Sequence, residues 1–159
     1  MKRSLYVIGM LVTAALMAGS LMAQANPFVG TWKLNVAKSK FEGTTAPKSL
    51  TRTVTAEGAG LKYSFEGVAA DGSKMSYSFT SNLDGKDAAV TGTGMPGGAD
   101  TVTLKKVSAT KTEGVMKKGG KEVGKATAEL SANGKTTTVT TSGKVDGKEM
   151  KAVSVYEKQ

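Results

Sequence analysis

Apolar and polar residues alternate at every second position along most of the chain after residue 26, and this period constrains the fold more than any other feature. A period of two places alternate side chains on opposite faces of a β-strand, whereas an amphipathic helix needs a period of 3.6 residues. The alternation is plainest in two runs, LKYSF at 61–65 and MSYSF at 75–79. A threonine-rich run at 136–142 adds the β-branched side chains that strands favour. The sequence therefore predicts an all-β protein.

Tight-turn pairs separate the alternating runs. They are Asp71-Gly72, Asp84-Gly85, Gly119-Gly120, Asn133-Gly134 and Asp146-Gly147, and such pairs tolerate the positive φ of two-residue hairpin turns. The pattern predicts strands at 28–36, 50–57, 60–67, 74–81, 87–91, 100–107, 111–117, 121–130, 135–143 and 148–157. Sequential hairpins form a meander, and a long meander removes its exposed edges by closing. We predict a single up-and-down antiparallel β-barrel of about 8–10 strands, with an open or sandwich arrangement as the alternative.

The first 25 residues have the layout of a secretory signal peptide. Lys2 and Arg3 precede an apolar run at 5–22, and Ala23-Gln24-Ala25 supplies the small residues that a signal peptidase reads. A transmembrane anchor is the alternative, although the run is barely as long as the roughly 20 apolar residues that span a bilayer. We expect residues 1–25 to be a cleaved Sec-type signal peptide and residues 26–159 to form one β-barrel domain. The expected location is the bacterial periplasm or the extracellular space, with no membrane span left after cleavage.

The first predicted strand carries the motif FVGTWKLN at 28–35. It resembles the opening strand of the calycin superfamily, in which lipocalins and fatty-acid-binding proteins begin their barrels with Gly-x-Trp. The longer string NPFVGTWKLNVAKSKF is similar to small exported bacterial proteins of lipocalin-like type. The resemblance implies a barrel with an interior ligand site. We interpret Gly30 and Trp32 as a structural plug at the barrel end, and a ligand-cavity floor is the alternative for Trp32.

Several features of these families are absent or changed. Residues 37–49 are too short for the two-helix lid of fatty-acid-binding proteins. Those proteins also end with an Arg-x-Tyr pair that grips a carboxylate, but here Ser154 stands two residues before Tyr156. In lipocalins a basic residue of the last strand covers the Trp, and Lys151 and Lys158 are the candidates for that place.

Seven residues form the predicted ligand site. Arg52 is the only Arg after residue 25 and shares a strand face with Leu50 and Val54, so it points inward if they do. An inward guanidinium holds an anionic group in bidentate fashion, whereas an ion pair or an outward side chain is the alternative. Tyr156 is a second possible polar anchor. The predicted apolar walls, which otherwise form a simple packed core, are Tyr63, Phe65, Met75, Tyr77 and Phe79.

The remaining motifs favour no catalytic, metal or nucleic-acid site. The chain has no His and no Cys, so imidazole bases, thiol nucleophiles and the common zinc ligand sets are missing. Residues 92–97 match GxGxxG, but a nucleotide site needs a following helix, and Pro96 argues against one. Lysines cluster between 105 and 125 without interleaved aromatic residues, which favours a solvated surface over a base-stacking one.

Together these features predict a non-enzymatic binding protein without a cofactor. We expect a monomeric, exported, lipocalin-like barrel that binds or carries a small apolar or amphipathic molecule. A protein-interaction or inhibitor module with a filled barrel is the first alternative, and a basic envelope protein that contacts anionic lipid or polysaccharide is the second. An empty apolar interior above roughly 300 Å³ favours the carrier.

Overall fold

A computed structural model describes residues 25–159, and the predicted signal peptide at 1–25 lies outside the described residues except for Ala25. The described chain is built almost entirely of antiparallel strands, as the alternation predicts. The strands are β1 (Gly30–Leu34), β2 (Lys40–Glu42), β3 (Ser49–Glu57), β4 (Gly60–Val68), β5 (Lys74–Ser81), β6 (Asp84–Ala89), β7 (Thr91–Thr93), β8 (Thr101–Lys106), β9 (Lys111–Lys118), β10 (Lys121–Leu130), β11 (Thr136–Val145) and β12 (Lys148–Lys158). Two single-turn 3₁₀ helices, Val36–Lys38 and Pro96–Gly98, lie between strands.

The strands form one sheet in the order β6-β8-β9-β10-β11-β12-β1-β3-β4-β5-β7. Its two ends are β6 and β7, which follow each other in the chain: β6 pairs with β8, whereas β7 pairs with β5. The segment 84–93 therefore crosses the seam, the place where the two end strands β6 and β7 of the sheet meet. The sheet is the nearly closed up-and-down barrel that the meander predicts.

Three of the described strands, β2, β6 and β7, differ from the prediction. β2 lies inside the predicted connection at 37–49 and pairs with β12, and the predicted strand at 87–91 is divided between β6 and β7. Strands of three residues are too short to show a period of two, so the sequence gives no signal for them. Gly85 has the predicted positive φ, at 79°, but the predicted two-residue turn at Asp84-Gly85 is wrong, because these residues begin β6 and the chain turns just before them, where Leu83 has a φ of 58°.

The register of β1 brings the residues at one barrel end together. β1 pairs with β12 on one side and β3 on the other, so Trp32 lies opposite Lys158 and also opposite Arg52. Its neighbour Gly30 has a φ of 142°, which favours glycine. A Cβ at Gly30 would lie 2.7 Å from Cε of Lys158, so the missing side chain leaves room for the lysine that reaches over Trp32.

Candidate functional site

The barrel encloses a cavity of about 350 Å³. Its lining includes exposed residues of three connections, at 44–47, 69–70 and 94–97, so the cavity reaches solvent at this end, which we call the mouth. None of the turns at 58–59, 107–110 and 131–135 at the other end of the described barrel contributes to the lining. The cavity is therefore a pocket that opens at the mouth and ends at a closed end.

Trp32 lies at the closed end, outside the cavity lining. It is fully buried, and its indole N–H donates a hydrogen bond of 2.9 Å to the carbonyl oxygen of Phe28. Two cations lie over its ring: Cζ of Arg52 is 5.3 Å and Nζ of Lys158 is 5.2 Å from the ring centroid. Lys158 thus takes the covering position for which Lys151 was the other candidate. The plug role of Trp32 and Gly30 stays a prediction that truncation can test.

Arg52 points into the barrel and lines the cavity. Only 4% of the residue is exposed, and its Cζ lies 4.8 Å from the centroid of the Tyr156 ring as well as over Trp32. Its Nε and Nη2 have no hydrogen-bond partner. Among residues 25–159, no carboxylate forms a salt bridge with this guanidinium. A buried cation without a counter-ion is costly, so Arg52 marks the cavity as a place where a negative charge would be stabilised.

The tyrosines around Arg52 do not neutralise it. Burial raises the pKa of Tyr63 to about 12 against an opposing effect of the Arg52 charge. Burial also raises the pKa values of Tyr77 and Tyr156. All three phenols therefore stay neutral at ordinary pH. Burial in turn lowers the pKa of Arg52, because the low dielectric disfavours the charged form, but an arginine keeps its proton in proteins.

Strands β4 and β5 provide an aromatic wall next to Arg52. Tyr63 pairs with Phe79 at a ring-centroid distance of 5.0 Å, and Phe65 pairs with Tyr77 at 4.6 Å, both stacked. These are directly opposed residues in the register of the two strands, so the alternation that buries them also aligns their rings. Val102 and Leu104 of β8 belong to the same lining.

All seven residues of the predicted ligand site line this one cavity. They are Arg52, Tyr63, Phe65, Met75, Tyr77, Phe79 and Tyr156. The structure thus brings them together, and their contact with a ligand stays a prediction. The opposite wall was not predicted: small side chains of β10 and β12 line the cavity there, among them Ala126, Ala128, Ala152 and Ser154. Alternation along those two strands could have found it.

The other sequence motifs lie at the periphery. The GxGxxG segment at 92–97 runs from β7 into the 3₁₀ turn Pro96–Gly98, and its residues 94–97 form part of the mouth. The next element is β8, so the helix that a nucleotide site needs does not follow the motif. Two of the clustered lysines have acidic partners: Nζ of Lys117 is 2.7 Å from Asp87, and Nζ of Lys125 is 3.6 Å from Glu122. Within residues 25–159 there is no group of three His, Cys, Asp or Glu side chains that could hold a metal ion. No helix in that range is long and apolar enough to cross a membrane.

Comparison with solved structures supports the architecture. The chain aligns with zebrafish ileal bile-acid-binding protein, solved in complex with cholic acid, at a TM-score of 0.50 and 13% identity, over 84% of this chain and 99% of that one. It aligns more weakly with the siderocalin Ex-FABP, at a TM-score of 0.37 and 14% identity, over 84% of this chain and 74% of that one. No protein-family model and no curated protein sequence matches the chain. The described barrel has the calycin fold, of the type shared by fatty-acid-binding proteins and lipocalins.

Proposed function

We propose that the protein binds or carries a small amphipathic molecule, with an acidic group of the ligand at Arg52 and its apolar part in the barrel. The observation that carries this proposal is the buried guanidinium with two unpartnered nitrogens in the lining of an apolar cavity. An anion at this point would supply the missing counter-charge in a medium of low dielectric, where charge-assisted hydrogen bonds are strong.

The cavity favours a carrier over an interaction module with a filled core. Its volume of about 350 Å³ lies at the lower end of the range for ligand pockets, roughly 300–1,000 Å³. A ligand would lie between the aromatic wall of β4 and β5 and the small side chains of β10 and β12. The zebrafish protein of the same fold, which was solved with cholic acid, provides a precedent for an acidic amphipathic ligand in such a barrel.

Binding of matched acids and alcohols tests this proposal. Isothermal titration calorimetry would compare decanoate with decanol on the wild-type protein and on Arg52→Met, which keeps a long side chain but removes the charge. We expect the preference for decanoate to fall about tenfold or more in Arg52→Met, since a hydrogen bond to a charged group contributes about 1.5–3 kcal/mol. Lys151→Met, which removes an exposed lysine, is the matched control. An unchanged preference in Arg52→Met would reject the anchor.

We also propose that the protein is exported and acts in the periplasm or outside the cell as a monomer. The support is the signal-peptide layout of residues 1–25. Cell fractionation with mass measurement of the purified protein tests export, and we expect a chain that begins at Asn26. Native mass spectrometry of the same material would show a bound small molecule, and a mass that matches the unprocessed chain would argue against export.

A further inference from the structure

Every methionine after residue 25 lines the same cavity. Met75, Met95, Met116 and Met150 come from four different elements: β5, the connection between β7 and β8, β9 and β12. Each lies toward the mouth, because Met75 and Met150 are near the first residues of their strands, Met116 is near the end of its strand, and Met95 belongs to the mouth itself. We call these four residues the methionine collar.

A glycine lies opposite three of the four collar residues. Across the sheet, Met75 is paired with Gly67, Met116 with Gly124, and Met150 with Gly143. A Cβ at Gly124 would lie 2.7 Å from the terminal methyl carbon of Met116. Met116 thus occupies the place that a side chain at Gly124 would take, whereas the backbone of neighbouring strands lies close to Gly67 and Gly143.

The collar and the region around Arg52 differ in stiffness. Methionine is unbranched, has three rotatable side-chain bonds and a polarisable sulfur, and adapts to surfaces of different shape. Arg52 lies over two aromatic rings, and the aromatic wall is stacked in register. A ligand that enters from the mouth would thus meet a deformable rim and a fixed inner end.

From this difference we propose that the barrel accepts a class of acids with a common acidic group and apolar parts of different shape, and that the methionine collar provides this tolerance. The inference rests on the proposed function and extends it from one ligand to a ligand class. The fixed end at Arg52 selects the acidic group, whereas the collar adjusts to the cross-section of the ligand's apolar part.

The test compares three acids that share a carboxylate: decanoate, cyclohexanebutyrate and 1-naphthaleneacetate. Their dissociation constants would be measured by calorimetry on the wild type and on the triple variant Met75→Leu, Met116→Leu, Met150→Leu. Leu has nearly the volume of Met but is branched, and such exchanges are well tolerated. We expect the three constants to lie within about tenfold of each other in the wild type and to spread by more than about tenfold in the triple variant.

Leu61→Met is the matched control, because Leu61 is buried but does not line the cavity, and it should leave the three constants unchanged. If the triple variant fails to fold, Met95→Leu in the mouth is the second variant, with a smaller spread in the same direction. Equal constants in wild type and folded variants would overturn the role of the collar. A wild type that binds one acid and rejects the other two would overturn the ligand class but leave the proposed function standing. A wild type that binds none would reject the proposed function itself.

Discussion

The two ends of the barrel are built on opposite principles. At the closed end, Trp32 is fully buried, hydrogen-bonded to Phe28 and covered by Arg52 and Lys158. At the mouth, the lining consists of connections, glycines and methionines, and it ranges from exposed loop residues to buried methionines. The first arrangement packs rigid rings together, and the second combines loop connections with the flexible side chain of methionine.

Because of this difference, we expect the closed end to determine mainly the stability of the protein and the mouth to determine mainly which ligands it accepts. Large buried rings at the closed end remove the most apolar surface from water, so substitutions there should mainly change the free energy of unfolding. The residues of the mouth bury less apolar surface, so substitutions there should mainly change ligand binding. Arg52 is the exception, because it belongs to the closed end but carries a charge that nothing in the described chain neutralises.

Truncation of Trp32 should give the largest effect. We expect Trp32→Ala to lower the free energy of unfolding by about 3–5 kcal/mol, because it leaves a large cavity and an unpaired carbonyl at Phe28. Urea unfolding followed by circular dichroism measures this loss. Met75→Ala, at the mouth and only half-buried, is the comparison. An equal loss in both variants would break the distinction between the ends.

Alkaline pH should weaken the closed end through its buried tyrosines. The pKa of Tyr63 is raised from 10.0 to about 12 in the folded protein, so the phenol loses its proton in the unfolded chain first. The stabilising effect is complete below pH 10 and is lost as pH rises toward 12, by an amount on the order of 2–3 kcal/mol. Unfolding of wild type and Tyr63→Phe at several pH values measures it. Equal slopes for the two proteins in this window would contradict the buried-phenol explanation.

The barrel could be predicted from the sequence because alternation and turn pairs are local signals. The strand at 121–130 has the predicted bounds, and the strand at 74–81 does as well. β2 and β7 could not be predicted, since three-residue strands depend on a partner that is distant in sequence. The turn at Leu83 could not be predicted either, because a leucine at positive φ is held there by tertiary contacts, including a hydrogen bond of 3.0 Å from the N–H of Lys106 to its carbonyl oxygen.

The candidate site was predictable where one strand face decides it. Arg52 shares its face with buried Leu50 and Val54, and the inward direction follows from that alone. The absence of a partner for its guanidinium could not be predicted, because it depends on which residues of other strands face it. The grouping of the methionines likewise depends on the register of β9, β10, β11 and β12, which no single segment encodes.

Removal of the Arg52 charge should stabilise the closed end, whereas truncation of Trp32 should destabilise it. We expect Arg52→Met to raise the free energy of unfolding by about 1–2 kcal/mol. The substitution removes the cost of burying a cation with unpartnered nitrogens, and this gain exceeds the cation–π attraction that is lost with it. Chemical unfolding measures this gain. A clear loss of stability would show that Arg52 is held for packing between Trp32 and Tyr156 and not for a ligand.

The smallest effect is expected from glycine-to-alanine substitutions at two positions, one at each end of the barrel, that have the same backbone conformation. Gly97 at the mouth has a φ of 67°, and Gly134 in the turn between β10 and β11 has a φ of 69°. An alanine in this left-handed region costs about 1 kcal/mol or somewhat more, so Gly97→Ala and Gly134→Ala should lose similar amounts of stability. Only Gly97 lines the cavity. We therefore expect only Gly97→Ala to change the dissociation rate of decanoate, measured by stopped-flow displacement with anilinonaphthalene sulfonate as the fluorescent competitor. If both variants change that rate equally, the mouth is not the route by which the ligand leaves.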